Sequence, residues 1–453
     1  MTKSLSAVRR ALAGVALGMV ALIGLAAPTH ALDPKDRNVV SQAFRAAARD
    51  DWQRAWRMLA DVADPLPAKT LRWLRMVEDG RPVDFAAMAG FLIANPDWPY
   101  PERLQKMAEE SIRDPADHRL IRRFFADRPP LTTRGRIRYA QALLRVGRDE
   151  EAIDLIRRAW IEGDFSARED KRFYRKYRRH LRQDDHIARL DGLLWELRRT
   201  SARRMLDRVP VGHRRLAEAR MRLQRGRTGV DRAIDAVPAA LRDDPGLTFD
   251  RLRWRRKRRL YDGVEAILLD PPPGELGRPD RWWLERKLEI RRSLRRRDFG
   301  RAYGIARSHR QTEGEDFAEA AWFAGWLALR HADRPSEGFR HFIQMYEAVS
   351  SPTGRSRAAY WAGRSAEAIG DKTLARYWYQ AAARHRVAYY GQLAAQELGT
   401  FGSTTPVPAP TAGQRATFEA RESVRAARML IEVGADAKLR PFALHLIGRA
   451  KNP

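Results

Sequence analysis

Apolar and small residues recur along this chain every three or four positions, and the pattern is clearest between Arg355 and Gly399. Ala359, Ala362, Gly363 and Ala366 form one stripe, Gly370-Asp371 interrupts it, and Ala375, Tyr379, Ala382 and Ala383 form a second. These spacings put each set on one face of a helix, and small residues there let two backbones approach closely. Tyr360, Trp361, Tyr377 and Trp378 are expected to fill the grooves left over, with a third helix starting beyond them. The same grammar appears earlier. Phe44, Ala47 and Ala48 precede the break Arg49-Asp50-Asp51, and Trp52, Ala55, Trp56 and Leu59 follow it. Tyr139 to Trp160 breaks at Gly147-Arg148-Asp149, with Ala152 at the packing position, and Trp283 to Arg307 breaks at Arg297-Asp298, with Ala302 in the matching place.

These pairs repeat. Phe323-Ala324-Gly325 returns as Trp361-Ala362-Gly363 after 38 residues, and Ala302, Gly338 and Ala375 follow at intervals of 36 and 37. A two-helix unit of near-tetratricopeptide length cannot bury its apolar face alone, so neighbouring units must stack. Prolines such as Pro65, Pro96, Pro129-Pro130, Pro245, Pro271 to Pro273, Pro335 and Pro352 fall between periodic segments, where a missing amide donor does no harm. No stretch alternates apolar and polar residues as a strand would. The expected fold is all-α, an irregular two-helix-repeat superhelix, a U-shaped or ring-like α-solenoid, over residues 32–399. Arg113 to Thr133 and Asp262 to Asp280 read as irregular insertions. Residues 400–415, rich in Thr, Pro and Ala, read as a linker, and 416–453 as two further amphipathic helices.

Composition changes the picture in three ways. The chain of 453 residues is 44% hydrophobic, enough for ordered cores, and contains no cysteine, which removes disulfides and thiolate chemistry. Lys3, Arg9 and Arg10 precede an apolar run from Ala11 to Ala26, and small residues at 29 and 31 prepare cleavage after Ala31. That is a signal peptide over 1–31, with a retained membrane anchor as the alternative; without a cysteine it is no lipoprotein signal. The net charge of +29, or +26 once those three basic residues leave, suits either an anionic polymer outside the cytoplasm or a solvated basic surface. Export argues against nucleic acid as a partner, and no membrane anchor is expected after cleavage.

Candidate chemistry is sparse. His180 and His186, and His331 and His341, lack metal-ligand spacing with a carboxylate, and no phosphate loop, Gly-x-Ser-x-Gly elbow or dinucleotide fingerprint occurs. The doublets Glu109-Glu110, Asp184-Asp185 and Asp243-Asp244 point about 100° apart on a helix and read as solvated faces or helix-start charges. Lys171 to His180 (KRFYRKYRRH) interleaves bases with aromatics, either for stacking on rings or as a helix with Phe173, Tyr174 and Tyr177 turned inward; Arg251 to Arg259 reads in the same way. The residues themselves indicate no catalytic, cofactor-binding or metal-binding site.

Local sequences resemble one family. Asn95-Pro96-Asp97-Trp98-Pro99, Asp185-His186-Ile187-Ala188-Arg189-Leu190-Asp191 with Leu194-Trp195-Glu196, and Trp282-Trp283 with Glu285-Arg286 are similar in order to soluble lytic murein transglycosylases of the Slt type. So are Ala321 to Arg330, His341-Phe342, Tyr360 to Arg364, Trp378-Tyr379 with Ala381-Ala382, and Tyr390-Gly391-Gln392-Leu393-Ala394. The resemblance, from about Phe44 to Gly399, implies a U-shaped superhelical domain closed by a small linker domain, exported to the periplasm and engaging peptidoglycan, with cell-wall enzymes as further partners. In the family a lysozyme-like domain then cleaves between N-acetylmuramic acid and N-acetylglucosamine. One glutamate acts as acid and then base, while the muramyl 6-hydroxyl closes a 1,6-anhydro ring. Its catalytic Glu-Ser is paired with a downstream Gly-Leu-Met-Gln. Here Glu110-Ser111 and Glu422-Ser423 are the Glu-Ser pairs, and neither has that partner. The expectation is a non-catalytic scaffold, inactive alone and lacking the catalytic domain; the alternative is a periplasmic helical-repeat adaptor for a protein partner.

Overall fold

The computed structural model describes residues 32–78, 84–113, 115–400 and 409–449. The signal segment and its cleavage point, and most of the Thr/Pro/Ala-rich linker, lie outside the described residues. Among those described there are 25 α-helices and four short 3-10 turns, and no strand. The chain is all-α. It divides into two compact units, one from residues 1–164 with 407–453 and one from 165–406.

The breaks between paired helices share one backbone device. Asp50, Gly147, Leu197, Arg259, Arg297, Asp333 and Gly370 all have positive φ, between 52° and 93°. In each of the seven cases the next helix opens two residues later, at Trp52, Asp149, Arg199, Tyr261, Phe299, Pro335 and Lys372. At six of them the amide after the left-handed residue donates to a carbonyl five positions back, as Asp51 does to Ala46, Asp298 to Ser293 and Asp371 to Ala366. This bond satisfies a carbonyl that the helix end would leave bare and reverses the chain in minimal length. Asp51, Asp298 and Asp371 then cap the following helix with their side chains.

The paired helices close on the small residues. Ala152, Ala302, Ala359, Ala362 and Ala366 are fully buried. Gly325 lies against the Phe342 ring and Gly363 against the Tyr379 ring, so close that a Cβ would come within 2.7 Å and 2.6 Å of them. The repeated glycine is thus the hole into which the next helix inserts an aromatic ring. Three expectations are corrected. Tyr377 is 60% exposed and fills no groove, because it lies on the outer face of helix Lys372–Ala383. The first "insertion" contains helix His118–Phe125, whose Ile121, Phe124 and Phe125 are buried. The second contains helix Tyr261–Leu269, with Val264 and Leu268 in a core, so both belong to the helical stack.

In the first unit, one hydrophobic core takes residues from Leu32 to Ala142 together with Ala426, Ala427, Met429, Leu430, Val433 and Phe442. The second unit carries a series of smaller clusters along the sequence, built mostly from helices adjacent in the chain, with Trp195 joining Phe249 across the helices between them.

Candidate functional site

The two Glu-Ser pairs have different surroundings. Glu110 is exposed and pairs with Arg134 at 3.2 Å, while the Ser111 hydroxyl donates to the Ala108 carbonyl. Glu422 opens helix Glu422–Glu432 and accepts hydrogen bonds from Lys69 Nζ at 2.6 Å and Trp98 Nε1 at 2.9 Å. Burial alone would raise its pKa, but the bonds from Lys69 and Trp98 hold it below the usual carboxylate range. A general acid for glycoside cleavage needs the opposite shift and an open face. Glu422 is instead a fastening point.

The motif around Trp98 explains that fastening. Trp98 and Trp73 are buried, and the Phe442 ring sits with its centroid 5.7 Å and 4.9 Å from theirs. Trp73 Nε1 donates to the Pro99 carbonyl, and Asp97 receives Arg449 at 2.6 Å and His445 at 3.4 Å. Arg425 meets Asp64 at 3.0 Å, and the Ser41 hydroxyl donates to the Val433 carbonyl. The Asn95–Pro99 stretch is therefore a socket for helices Glu422–Glu432 and Arg440–Gly448.

In the second unit the basic runs are largely consumed by structure. Phe173 and Tyr177 are buried, and Arg208 lies over the half-buried Tyr174 ring at 4.3 Å. Arg253 and Arg256 both reach Glu285, Arg255 donates to the Gly263 carbonyl, and Arg258 covers Trp254. Arg220, 1% exposed, is held by Asp191, Asp244 and Asp250. Arg286, fully buried, donates to the Leu268 and Ile305 carbonyls and to the Ser308 hydroxyl, and burial with Arg310 nearby lowers its pKa to about 10. Glu109 overturns the reading of the acidic doublets as solvated faces or helix-start charges. It is fully buried and accepts from the Leu131 and Thr132 amides and from Gln105, tying one helix to the start of another. Among the described residues no group of three or more His, Asp or Glu side chains could hold a metal ion, and no helix is long and apolar enough to cross a membrane.

The lip between helices Lys372–Ala383 and Tyr389–Glu397 exposes apolar and aromatic side chains. Val387 is 92% and Tyr389 66% exposed there, beside the exposed Arg384 and Arg386. Gly391 holds the lip in place, since a Cβ would sit 2.1 Å from the His385 carbonyl oxygen. Burial, with Arg355 and Arg384 facing it, lowers the pKa of His385. An exposed aromatic ring with arginines close by in the sequence has the chemistry to stack on a sugar ring and to meet an anionic substituent.

No protein-family model and no curated protein matches the chain in sequence. Solved structures do. An inactive mutant of lytic transglycosylase Slt from Pseudomonas aeruginosa aligns with a TM-score of 0.55 and 18% identity, over 91% of this chain and 66% of that one. The fold is that of Slt. The 70-kDa soluble lytic transglycosylase of Escherichia coli aligns at 0.45 and 14% identity, and the same kind of enzyme in complex with bulgecin A at 0.43, each over 92% of this chain and 66% of theirs. The chain thus spans about two thirds of the length of these proteins, and the shared part is helical.

Within that Slt-like fold the sequence motifs mostly mark packing. Trp282 and Trp283 are fully buried, and their indoles donate to the Leu276 carbonyl and to Glu319. Sequence reasoning missed the Tyr389 lip and the Trp98–Glu422 contact. The first spans a short turn and the opening residue of a helix, where no period has yet begun; the second joins residues 324 positions apart.

Proposed function

We propose that this chain is the peptidoglycan-engaging helical scaffold of a soluble lytic transglycosylase, working in the periplasm, and that its residues hold murein without cutting it. The observation that carries the reading is the alignment with the Slt fold along 91% of the chain. The engagement of Glu422 in a fastening contact supports the non-catalytic part, and the exposed Tyr389 beside Arg384 supplies a glycan-facing surface. The test is sedimentation with purified murein sacculi. The mature chain is expected to pellet with sacculi and to release no 1,6-anhydromuropeptides. Tyr389→Ala with Arg384→Ala is expected to weaken co-sedimentation about tenfold, the scale of one lost stacking contact and one lost charge. Release of anhydro products would overturn the scaffold reading. Absence from the pellet, with one periplasmic protein recovered stoichiometrically on the same lip, would favour the adaptor reading.

A further inference from the structure

In the second unit, the turns between paired helices carry side chains that packing does not ask for. Leu197, Arg259 and Arg297 occupy the left-handed position, at φ 57°, 60° and 57°, which Gly226 and Gly370 fill in sister turns. A side chain there works against the backbone, so glycine is the residue that local structure favours. All three side chains are exposed, and so is Leu260, 49% accessible just before helix Tyr261–Leu269. Cations in a last helical turn suit the helix dipole. Arg259 and Arg297, however, lie beyond the helix ends at Lys257 and Arg295.

These turns are neighbours. Arg258 donates to the Gly226 carbonyl at 3.2 Å, and the Arg292 guanidinium covers the Tyr261 ring at 3.6 Å, tying each turn to the next. A recess of about 260 Å³ opens among the first three, walled by Leu197, Leu223 and Trp254 together with Arg199 and Lys257. Its carboxylate, Asp250, is held by Arg220 and Gln224, each at 3.0 Å. Desolvation and the neighbouring Arg203, Arg227 and Arg199 lower the pKa of Arg225, so cations are gathered here against their mutual repulsion. Arg225, Arg227, Lys257, Arg259, Arg295 and Arg297 are exposed and make no ion pair among the described residues. The edge formed by these turns thus combines uncompensated cations, exposed leucines and an apolar-walled recess. Water gains nothing from the leucines, and a soluble polyanion would use the cations alone. An anionic bilayer uses both.

We propose that this edge docks on the surface of an anionic lipid bilayer. Leu197 and Leu260 dip between the headgroups, the arginines meet lipid phosphates, and the recess admits one headgroup beside Arg199 and Lys257. The contact is peripheral and needs no spanning helix. It goes beyond the murein reading, which rests on the Tyr389 lip, and it is read without sacculi.

The test is flotation of the mature chain, without its apolar leader, with vesicles of phosphatidylcholine containing phosphatidylglycerol and with phosphatidylcholine alone. The chain is expected to float with the anionic vesicles only and to be released as salt is raised. Arg259→Gly with Arg297→Gly is expected to weaken this binding about thirtyfold, the scale of two surface cations at an anionic bilayer. Leu260→Ser is expected to weaken it about tenfold, the scale of one partly buried leucine. The thermal midpoint should stay unchanged or rise in both variants, because glycine relaxes the left-handed turns and serine is the better helix cap. Tyr389→Ala is expected to leave vesicle binding unchanged. No binding to anionic vesicles, equal binding to both kinds, or unweakened binding by the arginine variant would each overturn the proposal. Loss in the arginine variant with Leu260→Ser unaffected would assign the edge to a soluble polyanion and overturn the bilayer.

Discussion

His309 shows what burial does to a single residue here. It is 9% exposed, packs edge-on against Trp283 and Phe317, and accepts the Gln311 amide on Nδ1 at 2.9 Å. Burial, with His341 and Arg286 nearby, lowers its pKa from 6.5 to about 4. Between those values the unfolded chain binds a proton that the folded chain does not, so stability rises with pH across that window. The contribution is complete above about 6.5 and is lost as pH falls toward 4, at most about 3 kcal/mol for a shift of this size. His309→Asn keeps an acceptor for Gln311 but cannot titrate. Urea denaturation of the variant at several pH values is expected to show a flatter decline between pH 6.5 and 4 than in the parent chain; an identical decline would remove His309 as a source of it. Residue chemistry of this kind was invisible in the sequence, where a histidine two positions before a glutamine carries no periodic signal. Tyr377 and Glu109 make the same point in reverse: their types and spacings suggested a groove filler and a solvated or helix-start charge, and their neighbours decided otherwise.

Paired helices are where the sequence was most legible. The breaks at Asp50, Arg297 and Gly370, followed by a capping aspartate, are short-range chemistry, and the structure realises each as a left-handed turn with its reversing hydrogen bond. The last four such turns, at 259, 297, 333 and 370, fall 36 to 38 residues apart, which is the period seen in the small residues. Glycine inside those helices is a packing device. At Gly325 an added methyl meets the fully buried Phe342 ring at 2.7 Å. Gly325→Ala is expected to cost about 1–3 kcal/mol by overpacking. Combining it with Phe342→Leu is expected to cost less than the sum of the two single changes, because the smaller side chain vacates the space. Strict additivity in a urea-denaturation double-mutant cycle would contradict the ring-in-hole contact.

On the scale of the whole molecule, the two units are built on different principles. The second is a succession of local clusters, so most of its contacts join helices adjacent in the chain. The first depends on residues separated by more than 300 positions, with Phe442 between Trp73 and Trp98 and Glu422 on Lys69. Phe442→Ala removes the ring at the centre of that junction and is expected to cost about 3–5 kcal/mol. Amides of helix Arg440–Gly448 should exchange with solvent much faster in that variant, whereas those of helix Pro352–Ile369 should not change. Retained protection at Arg440–Gly448 would show that the charged contacts of Asp97 and Asp64 suffice alone.

By itself the sequence determined the helices, their breaks, the repeat length and the small-residue faces, because all of these depend on residues within a few turns of one another. It also placed the Asn95–Pro99 motif without revealing its use. Only the tertiary structure decided that this motif is a socket for the final helices and that Glu422 is a fastening carboxylate. These depend on which distant side chains share a buried space, and burial sets both the cost of an unpaired polar group and the strength of a paired one.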